Sequence, residues 1–190
     1  ETPIAAPAKD QVLIAVKACG INYFDYLIIQ DRYQLKPPRP FSPGAEWAGI
    51  VEAVGEGVTE FSAGDRVLAA ASYGGLAEKT LAPASACRRM PAPMSFIESA
   101  GYQTAFGTAY YALRERGALS AGDTLLVLGG AGGQGAAAIQ IGKALGARVL
   151  AVASTHEKVA FAKAQGADEV AMIAPELSGV DLREAVKTFC

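Results

Sequence analysis

The sequence predicts an α/β-plus-β chain: a small β-rich domain over residues 1–100, then a parallel sheet with crossover helices over residues 101–190. Three observations predict it. Short β-branched and aliphatic runs separated by glycine and proline turns fill the first half. The second half alternates strand, helix, strand, helix, strand. Its first strand runs into a glycine loop that opens a helix.

The elements of the first half follow in order. Gln11-Val12-Leu13-Ile14-Ala15-Val16-Lys17 reads as a strand. Tyr23 to Gln30 carries the one helical pattern of this half. Trp47 to Gly55 is a second strand, ending in Gly55-Glu56-Gly57, where two glycines permit positive φ. Asp65 to Ala69 and Ala77 to Leu81 are further short strands. Pro43-Gly44, Ala63-Gly64-Asp65 and Gly74-Gly75 punctuate them at the spacing of a small barrel or sandwich.

After about Pro93 the character changes. Ser95 to Leu113 reads as one helix, with Ser95 and Glu98 at capping-box spacing. Thr124-Leu125-Leu126-Val127-Leu128 is a continuous apolar run suited to a buried parallel strand. A helix from Gly135 to Leu145 stops at Gly146. Then come a strand (Arg148 to Ala153), a helix (Glu157 to Gln165, stopped by Gly166), a strand (Glu169 to Ile173) and a last helix (Asp181 to Phe189).

Composition excludes several classes. Hydrophobic residues make up 51% of the 190 and charged residues 19%, too apolar for a disordered chain. The longest uncharged run, Thr124 to Gly142, is broken by six glycines and two glutamines, which makes it a poor membrane helix. A net charge of −2 gives no electrostatic footprint for nucleic acid. The cysteines Cys19, Cys87 and Cys190 are odd in number and far apart, which fits free thiols in the cytoplasm.

Gly129-Gly130-Ala131-Gly132-Gly133-Gln134-Gly135 stands where a dinucleotide pyrophosphate binds. Glycines let the backbone turn tightly and approach the phosphates, and a helix N-terminus presents N–H groups to the anion. Gly132, Gly133, Gln134 and Gly135 are therefore candidate cofactor residues. A site for NAD usually carries an acid at the tip of the second strand, for the ribose 2′-hydroxyl. Here Ser154-Thr155-His156-Glu157-Lys158 follows the strand. The hydroxyl of Ser154 and the cation of Lys158 suit a 2′-phosphate, hence NADPH.

Asn22-Tyr23-Phe24-Asp25, Tyr33, Pro43-Gly44-Ala45-Glu46-Trp47-Ala48-Gly49, Gly64-Asp65-Arg66-Val67 and Gly107-Thr108-Ala109-Tyr110-Tyr111 complete a pattern with the glycine loop. In this order they resemble the medium-chain dehydrogenase/reductases, in their zinc-free quinone oxidoreductase (zeta-crystallin-like) branch. The resemblance implies a GroES-like β-barrel catalytic domain before the first half of a doubly wound Rossmann domain. It also implies hydride transfer from NADPH to a quinone or an activated C=C. Other readings it leaves open are a non-catalytic NADPH-binding protein, of the crystallin or RNA-associated kind, and a reductase of enoyl thioesters or haloacrylates.

The positions where zinc-dependent relatives carry Cys and His read Asn22 and Ala45, so no metal is expected. The resemblance gives Asn22 and Tyr33 catalytic roles. Asn22 would bond the nicotinamide ribose or the acceptor oxygen, and Tyr33 would serve as a phenol donor. Thr108 joins Asn22 as a nicotinamide-side residue, and Gln103 faces the cleft. Asp25 and Glu46 are structural. Gln134 and Leu27 depart from the family pattern. The resemblance further implies a β segment before Glu1, the rest of the cofactor domain after Cys190, a homodimer of the complete protein, and little activity of these residues alone.

Overall fold

A computed structural model describes residues 3–173 with Arg183, Glu184 and Lys187. The helix expected from Asp181 to Phe189 lies, but for those three residues, outside the described residues. The chain divides into two compact units, Glu1–Thr104 and Ala105–Cys190.

The first unit is an antiparallel sheet of β1 (Gln11–Gly20), β2 (Glu46–Val54), β3 (Arg66–Ala70), β4 (Lys79–Pro83) and β5 (Cys87–Arg89), in the order β4-β1-β2-β3-β5. Alternation puts Val12 and Ile14 on one face of β1, both fully buried. They meet Trp47, Val51, Phe61 and Val67 in the main core. The register of β1 on β2 slips twice, between Leu13 and Ile14 and between Val16 and Ala18. Such irregularities bend and twist a strand.

Among the described residues the expected barrel is a curled sheet whose two edges are not joined by ladder hydrogen bonds. Its curl follows from connectivity. The edge strands β4 and β5 are joined only by the 3₁₀ turn Ala84–Ala86, and a link that short requires the two edges to approach each other. The sequence reading overlooked β5, three residues long with two exposed arginines. In the turn after β2 only Gly57 takes positive φ, at 87°.

Helix α1 (Tyr23–Ile29) follows β1. The single helix expected from Ser95 is two: α2 (Phe96–Ala100) and α3 (Gln103–Tyr110). Ser95 caps α2 as expected, accepting from the Glu98 N–H at 3.2 Å, and Gly101 ends it. Glycine is the weakest helix former after proline, and here it marks the break. After α3, residues Tyr111–Arg116 widen to a π-helical turn, in which the Gly117 N–H reaches the Ala112 carbonyl at 2.8 Å.

The second unit is a parallel sheet, β6 (Thr124–Leu128), β7 (Arg148–Ala153) and β8 (Glu169–Met172), in the order β6-β7-β8. Helices α4 (Gly133–Ala144) and α5 (His156–Ala164) make the crossovers. The apolar run Thr124–Leu128, expected as a buried strand, buries only Val127, because β6 has a strand on one side only among the described residues; β7, paired on both sides, is buried at five of its six positions. Ile139 of α4 and Ala162 of α5 pack on Val127, Val149 and Ala151. No described helix is long and apolar enough to cross a membrane.

Candidate functional site

The glycine loop leaves β6 and hooks onto the end of β7. The N–H groups of Gly129 and Gly130 both donate to the Val152 carbonyl, at 3.0 and 2.9 Å. The loop therefore lies at the carboxyl ends of the parallel strands, where nucleotides bind in such sheets. Helix α4 begins there, at Gly133, with Gly132 as its N-cap and no side-chain cap. A cofactor phosphate could take the place of that cap.

The four loop positions do different work. A Cβ on Gly135 would stand 2.2 Å from the Gly129 carbonyl oxygen, so only glycine lets the helix pack this close to the loop. A Cβ on Gly133 would meet nothing within 4 Å, and one on Gly132 only the Gly129 oxygen at 3.5 Å. Protein packing does not explain glycine at Gly133. Gln134 projects from the exposed first turn. These residues fit a dinucleotide pyrophosphate.

At the tip of β7 the structure joins two expected residues. Lys158 Nζ donates to Ser154 Oγ at 3.2 Å; the lysine is exposed and the serine half-buried. Thr155 between them caps α5, its Oγ1 accepting from the Lys158 N–H at 3.3 Å. The cap fixes the turn that brings the cation back over the hydroxyl. A hydroxyl and an ammonium in contact fit a 2′-phosphate. His156 is the exposed first residue of α5.

In the first unit the expected residues fall into two places. Asn22 sits at the head of α1, and its Nδ2 donates to Glu46 Oε1 at 2.8 Å. Its side-chain nitrogen thus bonds a distant acid, while Asn22 and Asp25 form a capping box at the head of α1. Glu46 Oε2 accepts the Thr104 N–H at 2.8 Å. Asp25 accepts the N–H of Asn22 at 2.8 Å and that of Gly44 at 3.2 Å. Asp25 is 4% exposed and Glu46 3%. Each buried carboxylate oxygen has its own N–H donor, which is what keeps such groups tolerable inside a protein. Beside them burial, with the Asp25 and Glu46 carboxylates, pushes the Cys19 thiol up to about 11, so it stays protonated.

Tyr33 lies elsewhere. Its ring packs on Phe24 with centroids 5.8 Å apart. Both line a cavity of about 320 Å³ with Ile28, Leu35 and Ser72. Asn22 and Tyr33 share no hydrogen bond or ring contact among the described residues. Thr108 is exposed on α3. Gln103 Oε1 is buried with no hydrogen-bond partner. No group of three His, Cys, Asp or Glu placed to hold a metal ion occurs among the described residues. Sequence reasoning missed the Glu46 contacts, which span 24 and 58 positions and leave no local signal. It also missed Phe24 and Ser72 as cavity walls.

The family description "Alcohol dehydrogenase GroES-like domain" matches residues 8–118. The quinone oxidoreductase of Homo sapiens is 38% identical over 168 residues, 88% of this chain and 51% of that protein. That of Lama guanicoe is 39% identical over 171 residues, 90% of this chain and 52% of that protein. Among solved structures, a probable oxidoreductase from Mycobacterium abscessus superposes with a TM-score of 0.88 at 40% identity, covering 100% of this chain and 59% of that one. The quinone oxidoreductase of Thermus thermophilus, solved also in complex with NADPH, gives 0.83 at 34% identity, covering 100% and 58%. The chain spans about half the length of the curated relatives it matches. By its matched region and by the architecture that region adopts, the chain belongs to the alcohol dehydrogenase GroES-like domain family.

Proposed function

We propose that the protein is an NADPH-dependent reductase that transfers hydride to a quinone or an enone-type C=C without zinc. One observation carries the reading. The loop glycine that protein packing leaves unexplained, Gly133, opens a helix at the same sheet edge where Ser154 and Lys158 meet. The relatives named quinone oxidoreductases, and the NADPH complex of one of them, support it.

Gly132, Gly133, Gln134 and Gly135 hold the pyrophosphate through the backbone and the N-terminus of α4. Ser154 and Lys158 take the 2′-phosphate, the hydroxyl as donor and the ammonium as counter-charge. Asn22 and Thr108 engage the nicotinamide side, and Tyr33 donates its phenol to the acceptor oxygen. The bound cofactor supplies the hydride. The chain's own residues bind, orient and exclude water. Asn22 and Ala45 occupy the positions where a zinc site would need ligands. On the family resemblance the whole protein is a cytoplasmic homodimer acting on a small molecule.

The test is a fluorescence titration with NADPH and NADH, with 1,4-benzoquinone and an enone as acceptors. NADPH is expected to bind at least tenfold tighter than NADH. Gly133→Ala should keep the thermal midpoint while weakening NADPH at least tenfold, about 1.4 kcal/mol. No NADPH binding, or an NADH preference, overturns the cofactor reading. Tight binding without turnover of either acceptor overturns the enzyme.

A further inference from the structure

We infer that the cavity lined by Tyr33 is the acceptor pocket and that it selects its ligand by charge and size. It takes an uncharged acceptor of one or two rings, with Ser72 as a second hydroxyl donor, and rejects acceptors that carry an anionic group. The inference rests on the proposed reductase activity and narrows its substrate class. It draws on residues of the first unit alone.

The walls decide the chemistry. Phe24 and Ile28 of α1, Leu35, and Ala70 and Ala71 where β3 ends give the cavity apolar sides. The Phe24 and Tyr33 rings pack at 31° to each other and Ile28 is 1% exposed, so this side is held by packing. Aromatic and aliphatic walls suit a planar ring. About 320 Å³ stands at the lower end of small-molecule pockets, which run from about 300 to 1,000 Å³, so one or two rings fill it. Among the described residues no ammonium, guanidinium or carboxylate lines it. Arg32 and Lys36, which flank Tyr33 and Leu35 in the chain, are exposed and stand outside the lining. Arg39 is held by Asp31 at 2.9 Å. An anion drawn into the cavity would shed its water and gain no counter-charge. The polar side-chain groups of the lining are the hydroxyls of Tyr33 and Ser72. Neither bonds another described residue, so each can donate to a carbonyl oxygen. A quinone brings two such oxygens and an enone one, whereas a haloacrylate brings a carboxylate that nothing here balances. Reduction adds one hydride and one proton, so a quinone leaves as the hydroquinone and NADPH as NADP+. A hydroxyl that donates to the carbonyl steadies the oxygen on which charge gathers.

Two probes isolate the charge. 2-Methyl-1,4-naphthoquinone and 1,4-naphthoquinone-2-sulfonate share a ring system and differ in one group, methyl against sulfonate. The sulfonate makes its ring the easier to reduce, so a preference for the methyl compound reports the pocket and not the ring's electronics. Equilibrium dialysis of the complete protein, without nucleotide, should show the methyl compound bound about tenfold tighter than the sulfonate, and kcat/KM with NADPH should follow the same order. Ala71→Leu puts bulk into the cavity and should weaken the methyl compound about tenfold, with NADPH affinity and the thermal midpoint kept. Ser72→Ala should weaken it about fivefold, the size of one hydrogen bond. Should Ala71→Leu not fold, Ser72→Ala, at an exposed position, decides. Equal affinity for the two naphthoquinones overturns the inference, as does unchanged affinity for the methyl compound in Ala71→Leu or in Ser72→Ala. The methyl compound bound with the expected preference but not reduced overturns the reductase activity and leaves the pocket assigned. Absence of NADPH binding with that preference intact overturns the cofactor reading alone.

Discussion

The two units handle polar chemistry in opposite ways. The first buries its acids and gives every carboxylate oxygen of Asp25 and Glu46 its own N–H. The second keeps Lys158 exposed against a half-buried Ser154 and leaves the head of α4 without a side-chain cap. Burial makes an arrangement rigid and costly to disturb; exposure makes it available to a charged ligand.

The contrast can be broken from its strongest side. Trp47 is 1% exposed in the core of the first unit. Trp47→Ala should cost about 3–5 kcal/mol in urea unfolding, whereas Gly133→Ala in the second unit should cost nothing. A loss below about 1 kcal/mol for the tryptophan would deny the first unit its rigid core.

The thiols of the first unit give the next effect. Burial is the main cause that pushes both Cys19 and Cys87 up to about 11, from 9.0. In a Cys190→Ser chain at pH 8, iodoacetamide should alkylate them about a hundredfold more slowly than an exposed thiol. The folded state holds these protons more tightly than the unfolded one. Their contribution is therefore intact below pH 9 and declines as pH rises from 9 towards 11. Rapid alkylation of the folded chain would show the pocket to be open.

Lys158→Ala sharpens the second unit's side. NADPH affinity should fall about tenfold with NADH unchanged, the signature of one lost phosphate contact. An equal loss for both nucleotides would move the lysine away from the 2′ position.

Asp168 yields the smallest effect. The Lys143 ammonium at 2.8 Å and the Val149 N–H at 2.7 Å hold its carboxyl below the usual carboxylate range. A depressed carboxyl stabilises above its ordinary pKa, and that stability fades as pH falls through the native value. Asp168→Asn should lower the thermal midpoint by a few degrees at pH 7 and by less at pH 3. A larger loss at acid pH would reverse the assignment.

The second unit was the more legible because its signals are local. Thr124–Leu128 and Arg148–Ala153 are strands over the residues that the apolar runs indicate. Ser154 and Lys158 are one helical turn apart, so adjacency in the chain becomes contact in space. In the first unit the strands could be read but not their closure. β5 is too short to carry an alternating pattern, and the partners of Glu46 are set by tertiary packing. Helix propensity joined α2 to α3 on paper, and Gly101 parted them. The open space around Gly133, unlike the crowding at Gly135, depends on where the loop folds back, which spacing alone does not tell.

The curled sheet has a consequence for assembly of the chain. Gln11, at the start of β1, lies opposite Pro83 at the end of β4. Nearly the whole first unit must be synthesised before β1 gains that second neighbour. β6 and β7 are separated by one short helix and can pair early. Folding of the first unit is thus governed by distant pairings, which are slow to close. Until they close, a hydrophobic strand with an open flank stands exposed to other chains.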